Sequence, residues 1–223
     1  MSRIRTVIAL TFGMGLSATA FAVPIISGGG TASCTVGDAF SNAGDSCNLQ
    51  EVDPHPSWAP GNSPYEGSVW VSYSDTGYDG EVLAPRKGSA GNPDGEQSIM
   101  VVTETFTLGT SGILDFWIWT DDTSDLILNG DMIKAANFTQ SVCANGPIGC
   151  EVDEGYNFIT TLGAGTHSLE MVSYQVGSGT TTKSNPFGLL YSGKVTEVPE
   201  PGTLALFGLG LAGLGITRRR RAA

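Results

Sequence analysis

The residues best suited to chemistry sit between positions 115 and 125. Asp121, Asp122 and Asp125 crowd into one short stretch, and clustered carboxylate oxygens are the hard donors that Ca²⁺ takes. A second reading competes. Asp and Ser in a tight turn bond nearby backbone, so Asp122 and Ser124 would cap and solvate a loop. The Gly and Glu that an EF-hand requires at fixed offsets are absent. Just upstream, Trp117 and Trp119 share one face of an alternating run. They could stack on sugar rings if that face is open, and they are core if it is covered. Trp58, Trp70, Tyr73 and Tyr78 are similar aromatic candidates, with Tyr73 and Tyr78 nearest a long polar loop.

Catalytic constellations are poor by comparison. His55 and His167 are the two histidines; His55 sits in a rigid Asp53-Pro54-His55-Pro56 loop and His167 at the start of a strand. The sequence holds no G-x-S-x-G elbow, no H-E-x-x-H and no G-x-x-x-x-G-K-[ST] loop. A carboxylate pair for glycoside hydrolysis has many candidate acids, but no spacing singles one out. The expectation is a protein that binds or builds rather than one that catalyses, with Ca²⁺ at the Asp cluster as its one cofactor option.

These residues are positioned by an all-β frame. Short apolar runs alternate with Gly/Pro/Asn clusters, and no segment keeps a helical period. Strands are predicted at 69–74, 98–108, 112–120, 126–129, 132–134, 157–162, 166–176 and 187–195. Within 112–120, Leu114, Phe116 and Ile118 share one face, and Asp115, Trp117 and Trp119 the other. Asn129-Gly130 between two apolar runs is a type I′ hairpin signal. Residues 23–62 are harder to read: a flap or first strand, carrying Gly28-Gly29-Gly30. Residues 78–95 form a polar, Gly/Pro-rich loop, a length that marks functional or mobile segments.

Four cysteines permit three connectivities. Local pairing, Cys34 with Cys47 and Cys143 with Cys150, is the expectation, because each pair brackets a Gly/Asn-rich loop. Such bridges suit an exported protein. The N-terminus agrees: Arg3 and Arg5, a short apolar run, then Ala20-Phe21-Ala22, an A-x-A site that places the mature start at Val23 and makes signal peptidase a partner.

The chain carries 11 basic and 22 acidic residues. Residues 23–199 keep only Arg86, Lys87, Lys134, Lys183 and Lys194 against 21 acids, a net charge of −16 with histidine neutral. That repels nucleic acid and anionic lipid and attracts divalent cations.

The C-terminus is the most specific segment. Val198-Pro199-Glu200-Pro201 precedes an apolar run through Ile216 and then Arg218, Arg219, Arg220 and Arg221. Pro201–Thr217 is 17 residues, just enough to span a bilayer as a helix. The arginines act as a cytoplasmic stop, since each costs about 2.5–3.5 kcal/mol at the bilayer centre. This order of elements closely resembles the PEP-CTERM sorting signal. The resemblance implies recognition at Pro199, Glu200 and Pro201 by an exosortase, a membrane protease that releases or transfers the ectodomain.

A second resemblance lies in the core. Trp119-Thr120-Asp121-Asp122 followed by Leu128-Asn129-Gly130, the Gly163–Met171 strand and Asn185–Leu190 look like galactose-binding-like jelly-roll sandwiches. The resulting expectation is an all-β, jelly-roll-like sandwich, with a signal peptide at 1–22, an N-terminal part at 23–97, a core at 98–196 and the sorting signal at 197–223. It would be a structural or adhesive surface protein of an exopolysaccharide matrix, or a carbohydrate-binding module acting on that polymer.

Overall fold

Alternation of apolar and polar residues governs the central strands, and the computed structural model shows what each face meets. It describes residues 22–86, 96–139 and 148–198, with Gly208 and Gly210 of the tail. The strands are β1 (Ala22–Ile26), β2 (Ser33–Val36), β3 (Ser46–Cys47), β4 (Gln50–Glu51), β5 (Val71–Ser72), β6 (Met100–Leu108), β7 (Gly112–Asp121), β8 (Thr123–Leu128), β9 (Asp131–Lys134), β10 (Tyr156–Leu162), β11 (Gly165–Tyr174) and β12 (Gly188–Glu197). A single 3₁₀ turn, Val152–Glu154, is the other regular element among the described residues outside the tail.

They form two six-stranded antiparallel sheets. One runs β10-β7-β12-β5-β4, with β1 also paired to β12; the other runs β3-β2-β6-β11-β8-β9. All eight strands expected between residues 69 and 195 are present, with ends shifted by a few residues. From the N-terminal part, β1, β4 and β5 join the first sheet and β2 and β3 the second.

The main core lies between the sheets. Leu114, Phe116 and Ile118 of β7 and Leu189, Tyr191 and Val195 of β12 pack against Val102, Leu126, Leu169 and Met171 of the opposite sheet. Burying such side chains contributes about 1.5–3 kcal/mol each. The β8–β9 turn is the expected I′ type: Asn129 has φ 53° and Gly130 φ 86°.

A second, smaller core sits on the outer face of the first sheet. Val52, Trp58, Ala59 and Trp70 cover Trp119 and Leu190 there. Hydrogen bonds lock this cover: Trp70 Nε1 donates to Ala59 O (2.8 Å), Ala59 N to Cys150 O (2.7 Å) and Thr120 N to Gly149 O (3.1 Å).

The predicted Cys34–Cys47 disulfide is present and joins directly opposed residues of β2 and β3, with Cα atoms 5.0 Å apart. Cys150 is also disulfide-bonded. Cys143, its expected partner, lies outside the described residues, as do Ala20, Pro199, Glu200, Pro201 and Arg218–Arg221.

Candidate functional site

The tail leaves the sandwich from a fixed point. Gly109 N donates to Glu197 Oε1 (2.6 Å), Val198 N to Ser111 O (2.8 Å) and Thr110 Oγ1 to Val198 O (3.3 Å). The β6–β7 turn therefore grips the chain at the residue before Pro199. Ala22 pairs with Thr196 across β1 and β12, so the first described residue and the end of β12 lie at the same end of the sandwich. Gly208 and Gly210 are helical. Among the described residues no helix is long and apolar enough to cross a membrane.

Alternation put Trp117 and Trp119 on the face opposite Leu114, Phe116 and Ile118, and that face is covered at Trp119. Trp119 is 3% exposed and sits under the 148–155 segment, where even a Cβ on Gly155 would collide with its ring. It is core, not a sugar platform. Trp117 stacks on it at 5.6 Å and is half-buried. Tyr73 is likewise packed into the main core, edge-on to Phe40 at 5.2 Å, and burial pushes its hydroxyl pKa up to about 12. Tyr78 is half-buried beside His55, with Lys183 Nζ 5.8 Å above its ring.

The two histidines hold structure. His167 Nε2 donates to Gly163 O (2.9 Å) and its Nδ1 accepts from Asn129 Nδ2 (3.1 Å). His55 Nδ1 accepts from Ser57 N (3.2 Å).

The Asp cluster divides. Asp125 is engaged on its own, accepting from Ala136 N (2.7 Å) and from Tyr174 Oη (2.8 Å). Asp121 and Asp122 instead form a buried pair whose carboxyls bond to each other. Trp58 Nε1 donates to Asp121 Oδ2 at 2.8 Å. Val176 N and Gly177 N donate to Asp122 Oδ2 at 2.8 and 2.7 Å. Burial, and then the neighbouring Asp122 charge, hold Asp121 well above the usual carboxylate range. Burial also raises Asp122, although its backbone donors oppose the shift. Both carboxyls therefore hold a proton more readily than free carboxylates do.

One residue joins this pair that no local sequence signal marks. Gly177 leaves room for nothing larger: a Cβ there would strike Asn185 Oδ1 and lie 3.3 Å from Asp122 Oδ2. Gln175 Nε2 donates to Pro186 O (2.9 Å) and Asn185 O (3.3 Å), which fixes its amide. Gln175 Oε1 and Asn185 Nδ2 are buried without a hydrogen-bond partner. Orphaned buried polar atoms are uncommon and point to water or an ion. Among the described residues no three His, Cys, Asp or Glu groups converge as a metal site.

A further buried acid went unread. Glu104 faces the inter-sheet core, 3% exposed, and its Oε1 accepts from Tyr191 Oη (2.8 Å) and Thr31 Oγ1 (3.2 Å). Burial raises its pKa against these donors. Its partner Tyr191 also lines a cavity of about 180 Å³, together with Gly28, Gly30, Ala32 and the Cys47–Leu49 segment.

Residues 197–221 match the PEP-CTERM protein-sorting motif. No curated protein matches the chain. Among solved structures it is similar to a native family 35 carbohydrate binding module from Clostridium thermocellum: 11% identity, TM-score 0.37, covering 79% of this chain and 99% of that one. It is similar to CBM35 from Paenibacillus barcinonensis: 10% identity, TM-score 0.35, covering 81% and 100%. It is also similar to the GH26-CBM35 β-(1,4)-mannanase of Podospora anserina: 12% identity, TM-score 0.34, covering 81% of this chain and 28% of that enzyme.

Proposed function

We propose that this chain is an exported precursor that an exosortase cleaves at Pro199–Pro201, releasing a structural or adhesive sandwich into the exopolysaccharide matrix. One observation carries the reading: the sorting motif at 197–221 begins where the last strand of a complete two-sheet sandwich ends. Glu197 and Val198 are held by the β6–β7 turn, so the recognition residues follow the folded body with no spacer. Signal peptidase would cut after Ala22. The apolar run and Arg218–Arg221 would hold the precursor in the inner membrane until the second cut. The net charge of −16 keeps the released body soluble and away from nucleic acid. Glu200→Ala should leave the protein uncleaved in the membrane fraction; unchanged release would refute the route.

The Asp121–Asp122 pair favours a second reading of the released domain, Ca²⁺-dependent carbohydrate binding. Asp121, Asp122 and the oxygens of Gln175 and Asn185 would hold the cation, which would supply a positive centre for sugar hydroxyls. Half-buried Trp117 and Tyr78 are the candidate aromatics that remain available for stacking. Calorimetry with matrix polysaccharide in Ca²⁺ and in EDTA tests it. Binding that is equal in both, or absent in both, would remove the reading.

A further inference from the structure

β10 is the outermost strand of the first sheet, and among the described residues its outer edge pairs with no strand. Exposed edges present unpaired N–H and C=O groups, and proteins normally blunt them with charge, proline or shortness. The other edges here are blunted. β1 carries Pro24, β9 carries Asp131 and Lys134, and β3 and β4 are two residues long. β10 is different: Tyr-Asn-Phe-Ile-Thr-Thr-Leu, seven residues with no charge and no proline. At its centre Ile159 is 60% exposed, and Ile113, two strand positions away on the same outer face, is 44% exposed.

The charge distribution selects the partner. A chain this acidic repels its own copies over most of its surface. Along β10 that repulsion is missing, and the sequence is complementary to itself. Antiparallel pairing about Ile159 sets Ile159 against Ile159 and Asn157 against Thr161, an apolar contact flanked by two pairs able to hydrogen-bond. It also sets Asp153 and Glu154 of one copy against Gly165 and Ala164 of the other, so no like charges meet. Cross-strand pairs of these kinds contribute about 0.2–1 kcal/mol each beyond the backbone ladder.

We propose that β10 is a homotypic docking edge: two copies pair antiparallel about Ile159 and fuse their first sheets into one continuous sheet. A protein released into a matrix would in this way gain a self-assembling contact.

Sedimentation equilibrium of residues 22–198, which contain every strand of both sheets, and of the full chain in detergent tests this. The wild type is expected to show a concentration-dependent dimer. Ile159→Lys places two like charges opposite each other and should halve the apparent mass, with an unchanged circular dichroism spectrum because the side chain is outside the core. Thr161→Lys serves as a second variant should the first misfold. Ile159→Cys should crosslink under mild oxidation, and Thr161→Cys, whose partner is Asn157, should not. A wild type monomeric at every loading, a dimer that survives both lysine variants, or equal crosslinking at 159 and 161 would overturn the proposal.

Discussion

Replacing Asp121 by Asn separates the roles of the buried acid pair. Asp121 accepts from Trp58 Nε1 at 2.8 Å and lies beside Asp122, which together with burial raises its pKa. An asparagine reproduces the protonated form: its oxygen accepts from Trp58 and its amide donates to Asp122. Asp121's pKa in the fold lies above the ordinary 3.8, with Asp122 and Glu154 as the nearby charges that raise it beyond the effect of burial. A raised carboxylate contributes stability that is fully present below the unfolded pKa and is lost as pH rises through the folded value, at about 1.4 kcal/mol per unit of separation. In EDTA the wild type should therefore lose stability from about pH 4 upward. Asp121→Asn should flatten that loss and at pH 7 be as stable as the wild type or more so. Ca²⁺ reverses the order. At one hundred times its dissociation constant a ligand adds about 2.7 kcal/mol, which for a domain of this size raises the melting temperature by roughly 5–11 °C. The wild type should show that rise, increasing with pH as the pair deprotonates, and the variant should show none. Circular dichroism melts at pH 4, 5.5 and 7, in Ca²⁺ and in EDTA, read both effects. An equal Ca²⁺ shift in the two proteins, or a cation-free wild type that gains stability toward pH 7 relative to the variant, would refute the reasoning.

Tyr191→Phe removes a 2.8 Å donor to buried Glu104 and should cost about 1.5–3 kcal/mol in urea unfolding at pH 7. The loss should shrink toward pH 4, where Glu104 is protonated; an equal loss at both values would contradict the charge-assisted bond. Gly155→Ala forces a methyl into the Trp119 ring and should cost about 1–3 kcal/mol, with altered tryptophan fluorescence. An unchanged spectrum and midpoint would mean that the 148–155 segment does not press on Trp119.

The legible parts of the fold were those whose signal is local. β6, β7, β11 and β12 alternate over nine or ten residues, and Asn129-Gly130 is its own turn instruction. β1 to β4 could not be read the same way, because they are two to five residues long and are held by partners: β1 by β12, β2 and β3 by a disulfide. The face of Trp119 was legible, but its cover was not, since residues 52–70 come from a distant stretch with no alternation of their own. Asp121 and Asp122 read equally well as a turn or an ion site. What distinguishes Asp122 from Asp125 is its bonds to Val176 N and Gly177 N, more than fifty residues away. The sorting motif was legible because it is a linear signal, read by order and composition rather than by folding.

The intact mass of the protein released by cells with and without an exosortase tests the proposed route most directly. Cleavage at Pro199–Pro201 predicts a product beginning at Val23 and ending within or beside that tripeptide, with the precursor retained in the membrane when the protease is missing. A released product that keeps Arg218–Arg221, or an identical product without the protease, would contradict it.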